Sequence, residues 1–250
     1  MATVRDVEKY METRIPRTLS VPGDPDGTSL CPDGTLEVRR AVAALDVTLG
    51  SIEFARTSGA QLIVTHHPCI YGSVSSVTDA TGTGRRLIAA LKANIALMAY
   101  HTRLDTVDGG VNDSLCALLG FDRTEKFCGG LGRLAYLPEV LSYKEFRAHI
   151  AKTLQTDAVT GIDCGRPVKK IAVLGGGGKS TFYDALATGA DTYLTGEVPH
   201  NILLDAEDMK INLVCATHYR TESPVVPSIK RIINEGFPDI EVLTYYDKNF

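Results

Sequence analysis

The sequence predicts an α/β fold of two similar lobes with mixed sheets. Short β-rich apolar runs alternate with longer runs of helical period along the 250 residues, as is typical of layered α/β proteins. The two halves also repeat one pattern. The first half reads VAALD, LIVTHH and LMAYHT, and the second reads IAVLGG, TYLTGE and LVCATH. Because these apolar runs end abruptly in polar or glycine residues, we expect a structural duplication whose strand ends converge on one cleft.

The individual elements follow from apolar periodicity and turn residues. We predict strands over 38–45, 61–65, 95–100, a short strand in GRLAYLPE, and strands over 170–174, 192–195, 212–216 and 240–245. Helices are predicted over 4–13, 49–58, 84–94, 111–119, 143–154, 181–187, 201–209 and near 224–234. Thr3 and Ser142 are the expected N-caps, and 16–34, rich in Pro, Gly and Asp, is an expected loop. We predict one domain over 1–250, with lobe one at about 1–125 plus the C-terminal strand and lobe two at about 126–235.

Composition excludes several classes of protein. With 44% apolar and 22% charged residues and a formal charge of −4, the chain is not expected to bind nucleic acid by neutralising phosphates. No apolar stretch approaches the ~20 residues of a membrane span, and the N-terminus lacks the apolar core of a secretory signal. The six cysteines form no C-x-x-C pair, which favours free thiols in a reducing cytoplasm.

Two histidines, His66 and His67, end the apolar run QLIVTHHPCIYG, and Pro68 follows them at once. On a regular strand, adjacent side chains point to opposite faces. At a strand end broken by proline, the two rings can diverge less and bind two nearby ions. The alternative is a pair of histidines that cap the strand and bond to backbone.

Two further apolar runs also end in imidazole and carboxylate groups. His101 and Asp105 follow one run, and His218 and Glu222 follow another. A spacing of four places His218 and Glu222 on one side of a helical turn, although such pairs are often only solvated contacts. Asp105 could equally belong to a turn, and His101 could be a ligand, a hydrogen-bond donor to a ligand, or a proton shuttle.

Considered together, these groups predict a dinuclear metal site. Nitrogen and oxygen ligands without thiolate suit Zn, Mn, Fe or Ni. Because the ligands exceed what one tetrahedral ion needs, two divalent ions sharing a carboxylate are expected.

Other polar or glycine-rich segments allow two interpretations each. The run LGGGGKS lacks phosphate-loop spacing, since Val173 stands where the first glycine is required. It could still present N–H groups to an anion, but a tight turn that brings a helix close to its strand is favoured. Glu197 and His200 could line the cleft or serve helix capping. Cys69 could be a soft ligand, but a buried structural thiol is favoured.

Four segments resemble a known family: VTHHPCIYG, YHTRLDTVDGGVNDSL, ADTYLTGEVPHN and VCATHYRTESP. They are similar, in order, to signature segments of the GTP cyclohydrolase I type 2 homologues, the NIF-three-like dinuclear metal-centre proteins. The resemblance covers essentially the whole chain and matches the short form. It implies the NIF-three-like fold and a toroidal homohexamer. It also marks five positions as metal ligands, namely His66, His67, Asp105, His218 and Glu222.

Two departures affect substrate contacts rather than these ligands. Residues 19–34 replace a segment that often contains Trp-Asp-Asn, and Asn201 stands where a second histidine is common. The leading hypothesis is a metal-dependent hydrolase that acts through a metal-bridging water on a nucleotide-like or other small substrate. His101 and Glu197 are the candidates for proton transfer. The alternatives are a non-enzymatic carrier of iron or another metal, and an oligomeric scaffold that metal only stabilises.

Overall fold

The computed structural model describes residues 1–249 and divides the chain into two compact units. Unit 1 comprises Met1–Val107 and the segment from Val225 onward, and unit 2 comprises Asp108–Pro224. In chain order the elements are α1 (Val4–Arg14), β1 (Gly27–Leu30), β2 (Arg40–Ala44), α2 (Leu49–Ser58), β3 (Leu62–Thr65), α3 (Gly82–Lys92), β4 (Ala96–Ala99), α4 (Thr102–Thr106), α5 (Val111–Leu118), β5 (Thr124–Phe127), β6 (Gly132–Leu141), α6 (Tyr143–Thr153), β7 (Thr160–Ile162), β8 (Val168–Gly177), α7 (Phe182–Ala187), β9 (Thr192–Glu197), α8 (His200–Asp208), β10 (Asn212–Cys215), α9 (His218–Glu222), α10 (Val226–Gly236) and β11 (Glu241–Thr244). Within residues 1–249, no helix combines the length and the apolar character that crossing a membrane requires.

Unit 1 is built on a five-stranded mixed sheet in the order β1-β4-β3-β2-β11. Strands β4, β3, β2 and β11 are parallel, and β1 lies antiparallel to β4 at one edge. Residues Val42, Ile63 and Leu97 are fully buried in one apolar cluster with residues of helices α2 and α3. Burial on both faces explains why these strands read as continuous apolar runs. Ala44, Thr65 and Ala99 are paired in register, so the residues that follow them leave the sheet together at the carboxyl ends of β2, β3 and β4.

Unit 2 repeats this arrangement with additional strands. Its six-stranded sheet has the order β5-β6-β8-β9-β10-β7, with β8, β9 and β10 parallel and the other strands antiparallel to their neighbours. An antiparallel edge strand thus flanks the third parallel strand in both units, β1 beside β4 and β7 beside β10. The mixed α/β class with two mixed sheets is confirmed.

The predicted helix caps are confirmed in detail. The hydroxyls of Thr3 and Ser142 accept from the N–H groups of Asp6 and Glu145, whose carboxylates accept in return from the cap residues. These reciprocal bonds satisfy N–H groups that the first helical turn leaves without partners.

Three strands lie where none was predicted. Strand β1 runs through the expected loop, and β5 and β7 are also short edge strands. Edge strands pair on one side only and carry polar residues, so they show no apolar run. The expected turn at the glycine run begins later than predicted, because Gly175, Gly176 and Gly177 extend β8 and the chain turns only after them.

The unit boundaries differ from the predicted lobe boundaries at about 125 and 235. They fall at 107/108 and 224/225, because α10 contacts β11, β2 and α1, while α5 contacts β8 and β6. That the units form a single domain stays a prediction.

Candidate metal centre

In unit 1, three imidazoles gather where β3 and β4 end. His66 and His67 follow β3, and His101 follows β4 after one residue. The ring centroid of His66 lies 4.8 Å from that of His67 and 5.2 Å from that of His101. One ligand atom from each of the three rings lies within 4.8 Å of the others. These three side chains could therefore hold a metal ion.

Each of the three rings is fixed through its Nδ1 atom. Nδ1 of His66 lies 3.2 Å from the carbonyl oxygen of Tyr100. Nδ1 of His67 lies 2.8 Å from the Asp46 carboxylate, and Nδ1 of His101 lies 2.6 Å from the Asp24 carboxylate. Because these oxygens accept, each Nδ1 carries the proton and donates it. With the proton on Nδ1, the lone pair available to a metal lies on Nε2, and metal-binding histidines commonly donate their other ring N–H in this way.

Asp24 ties the loop before β1 to the end of β4. Its carboxylate accepts from Nδ1 of His101, from the backbone N–H of Thr102 at 3.0 Å and from the Thr102 hydroxyl at 2.5 Å. Burial alone would raise the pKa of Asp24, but the hydrogen bonds from Thr102 and His101 outweigh it and lower that pKa. Asp24 is therefore held as a carboxylate that orients His101.

A buried arginine anchors α4, the short helix that carries Asp105. Arg103 is fully buried, and its guanidinium donates to the Glu12 carboxylate at 2.8 and 2.9 Å and contacts Asp26 at 3.0 Å. It also lies 4.6 Å over the ring of Tyr100. Two residues further on, Oδ1 of Asp105 lies 3.8 Å from Nε2 of His66. The carboxylate and the imidazole are close enough to ligate one ion.

In unit 2, an imidazole and a carboxylate meet after β10. His218 begins α9, and its Nε2 lies 3.1 Å from Oε2 of Glu222 one turn later. On the other side of the ring, Nδ1 of His218 lies 3.0 Å from Oε1 of Glu197, the last residue of β9. Thr217, which precedes α9, has a φ of 65°, a rare backbone conformation for a threonine. This strained residue directs the chain from β10 into α9.

Glycines make the space that Glu222 occupies. A Cβ atom on Gly176 would lie 2.0 Å from Oε1 of Glu222, and the φ of Gly176 is +69°. A Cβ on Gly196 would lie 2.9 Å from Cα of His218. The backbone is held by the Thr221 hydroxyl, which accepts from the N–H of Gly176 at 3.0 Å. The glycine run thus shapes a cradle for a carboxylate that is only 5% exposed.

The structure places the predicted residues in two groups. It brings His66, His67, His101 and Asp105 together in unit 1, and it brings His218, Glu222 and Glu197 together in unit 2.

Two other candidates contribute nothing visible to these groups. The thiol of Cys69 is buried in the apolar cluster of unit 1, and burial raises its pKa. His200 is exposed at the start of α8, where no side-chain cap forms.

Sequence reasoning missed Asp24 and Asp46, which fix two of the imidazoles. Asp46 follows β2 by two residues in AALDVT, and its position after an apolar strand could have identified it. Asp24 lies in a Pro- and Gly-rich loop, where aspartate is ordinary in turns. No local signal distinguishes Asp24.

Comparison with known proteins identifies the family of this chain. The sequence matches the model of the Duf34/NIF3 (NGG1p interacting factor 3) family over residues 2–249. The chain belongs to the Duf34/NIF3 family. It is 31% identical over 220 residues to a GTP cyclohydrolase 1 type 2 homolog of Clostridium perfringens, a match that covers 84% of each chain.

Solved structures show the same fold. The Bacillus cereus protein related to NIF3 superimposes with a TM-score of 0.90 at 21% identity, over 99% of this chain and 97% of that one. Reduced HcgD from Methanocaldococcus jannaschii superimposes with a TM-score of 0.83 at 27% identity, over 97% of each chain.

The residues of this Duf34/NIF3 protein fit a bound divalent metal. Imidazole nitrogen and carboxylate oxygen suit Zn, Fe, Mn or Ni. The Nδ1 anchors preset the tautomer, and the glycine cradle admits a buried carboxylate.

Proposed function

We propose that this protein is a dinuclear metal-dependent hydrolase acting on a small, nucleotide-like substrate. Its metal ligands would be His66, His67 and Asp105 of unit 1 and His218 and Glu222 of unit 2. The observation that carries the proposal is the cluster of three imidazoles in unit 1, each with its Nδ1 bonded to a carbonyl or carboxylate oxygen. That all five ligands surround two shared ions stays a prediction. The relatives' label, GTP cyclohydrolase 1 type 2 homolog, supports the nucleotide-like substrate.

When bound, divalent ions of this kind lower the pKa of water toward neutrality and polarise the substrate. The chain's own residues orient the groups that hold them. Asp46 keeps the ring of His67 in place, and the glycine cradle keeps Glu222 in place. Rigid support of this type reduces the rearrangement that catalysis would otherwise require.

Proton transfer is proposed for His101 and Glu197. His101 forms a histidine–carboxylate pair with Asp24, and its side chain is 18% exposed. Glu197 is 64% exposed and bonded to Nδ1 of His218, so solvent reaches it. His101 is also placed to ligate metal. If His101→Ala keeps the metal content but loses turnover, His101 transfers protons, whereas a parallel loss of metal makes it a ligand.

Turnover by the full-length protein tests the enzyme proposal. Metal-loaded wild type is expected to hydrolyse GTP or a related nucleotide, and Asp105→Asn is expected to lose that turnover while retaining metal. Lys144→Met, at an exposed position of α6, is the matched control. Reversible metal transfer without turnover would identify a carrier. Unchanged oligomerisation after removal of all metal, without turnover, would identify a scaffold.

We also propose a cytoplasmic homohexamer. All six cysteines are free in the structure, which suits a reducing compartment. Light scattering coupled to size exclusion is expected to give six chains per particle, and a monomer would contradict the hexamer.

A further inference from the structure

Unit 2 contains an open cavity that shares only Glu197 with the residues of the proposed function. Its volume is about 630 Å³, and it is lined by Gly177, Lys179, Ser180, Glu197, Val198 and Pro199. Glu197, on its wall, is the residue that accepts from Nδ1 of His218. A ligand in the cavity would therefore lie next to the imidazole–carboxylate pair of unit 2.

The turn formed by residues 177–180 gives this cavity its hydrogen-bond donors. Lys179 is the cation among the lining residues and Ser180 supplies a hydroxyl; both are exposed. Among residues 1–249, no protein acceptor receives the backbone N–H of Lys179 or of Ser180. An ammonium, a hydroxyl and two amides together offer more donors than the two oxygens of a carboxylate need. They suit the three terminal oxygens of a phosphate group.

The 177–180 turn is also held in place. The N–H of Gly178 donates to the carbonyl of Glu197 at 2.9 Å, and the Tyr193 hydroxyl donates to the carbonyl of Gly178 at 3.0 Å. A Cβ on Gly178 would lie 2.4 Å from Oγ1 of Thr195, so only glycine fits there. A Cβ on Gly177 would meet no atom within 4 Å, which leaves that position open. A fixed turn presents its two backbone N–H donors with little ordering cost at binding.

We propose that the 177–180 turn is a phosphate subsite, with Lys179 and Ser180 holding the phosphate group of the substrate. This inference rests on the proposed function, which supplies the reaction on another part of the same substrate. It does not require a nucleotide-binding loop of standard spacing, since Val173 occupies the position of the first glycine. Gly175 and Gly176 leave room for the side chain of Glu222, whereas Lys179 and Ser180 bind the anion.

Equilibrium binding to the full-length, metal-loaded protein tests the subsite without requiring turnover. The probes are GMP, guanosine and inorganic pyrophosphate, measured by calorimetry at constant ionic strength. We expect GMP to bind more tightly than guanosine, and Lys179→Met to weaken GMP and pyrophosphate binding by about tenfold. Lys179→Arg should retain most of the affinity, Ser180→Ala should lose less, and Lys144→Met should match wild type.

The outcomes separate the subsite from the reaction. Lys179-dependent binding without turnover keeps the subsite and contradicts the hydrolase proposal. If Lys179→Met binds both phosphate probes as tightly as wild type does, the subsite is overturned. Where turnover is observed as well, the hydrolase proposal still stands. Lys179-dependent binding of pyrophosphate alone keeps the subsite and excludes a nucleoside monophosphate as the carrier of the phosphate.

Discussion

In unit 1 the third parallel strand, β4, leads through His101 into the short helix α4, and in unit 2 β10 leads through Thr217 into the short helix α9. Each short helix carries a carboxylate in its last turn, Asp105 in α4 and Glu222 in α9. The polar groups around these carboxylates differ. In unit 1 the carboxylate of Asp105 lies near His66, one of three imidazoles fixed by polar partners, whereas in unit 2 glycines without side chains leave space for the carboxylate of Glu222.

This difference shows how one backbone plan can present different ligands. The bulky His66 and His67 follow Thr65 of β3, whereas Gly196 and Glu197, the last residues of β9, follow the corresponding Thr195. Histidines that follow a strand need acceptors for Nδ1, and a buried carboxylate needs room. The duplication predicted from the sequence therefore preserves the strands and the helical turn, but not the ligand chemistry.

Each unit also contains a buried arginine, and its removal should give the largest effect on stability. Arg103 pairs with Glu12 and Asp26 in unit 1, and Arg133 pairs with Asp113 in unit 2. Arg103→Met or Arg133→Met is expected to lower the free energy of unfolding by about 3–5 kcal/mol, because the carboxylates paired with the arginine would lose the cation that neutralises them. Denaturant titration measures this. Arg56→Met, whose exposed pair with Glu53 is a surface contact, should cost about 0–1 kcal/mol. Equal losses for buried and surface variants would contradict this assignment.

The glycine cradle predicts the next largest effect. Gly176→Ala should displace Glu222 and lower stability by about 2–4 kcal/mol, since it combines a positive φ with a collision. Gly189→Ala is the matched control, because Gly189 has a φ of +72° but its nearest atom would be 3.8 Å away. Gly189→Ala should cost only about 1 kcal/mol and leave metal content unchanged. If both variants bind metal as wild type does, the cradle is not part of the site.

The imidazole anchors of unit 1 are expected to affect metal affinity more than stability. Asp24→Asn and Asp46→Asn should each weaken metal binding by about 10–100-fold, because the partners that fix His101 and His67 are lost. Competition with a chromophoric chelator measures the affinity. Asp33→Asn, at an exposed aspartate bonded to Thr35, should bind metal like wild type. An unchanged affinity in both anchor variants would show that the tautomers are not set by these carboxylates.

Low pH should lower the stability of both units. Burial would raise the pKa of Glu12 and of Asp113, but hydrogen bonds from Arg103 and Arg133 respectively lower both values. A lowered folded pKa contributes stability above the unfolded pKa, and this contribution disappears as pH falls through the folded pKa. The free energy of unfolding should therefore fall as pH drops below about 4.5, the ordinary value for glutamate. The fall should be smaller in Arg103→Met, and an identical pH profile would contradict the assignment.

The parallel strands and the ligand candidates could be predicted from the sequence because they depend on local pattern. Strands such as β3 are buried on both faces, so their apolar runs are visible, and His66, His67 and His101 stand directly at their ends. Edge strands such as β1 and β7 carry no such pattern, since their pairing depends on distant residues.

The hydrogen-bond partners of the site could not be predicted for a related reason. Asp24 and His101 are 77 residues apart, and neither neighbourhood indicates the other. Glycine is common in turns, so the sequence predicts a turn where Gly175, Gly176 and Gly177 extend β8. The need for glycine at position 176 comes from the bulk of Glu222 in α9, 46 residues away in the chain (222 − 176).

Metal stoichiometry is the most direct test of the central claim that this chain holds a dinuclear centre. Elemental analysis of protein purified under metal-replete conditions, combined with anomalous diffraction, gives the number, identity and ligands of the ions together. We expect two divalent ions per chain, with density at His66, His67, Asp105, His218 and Glu222. Fewer than one ion per chain, or ions bound elsewhere, would contradict the account.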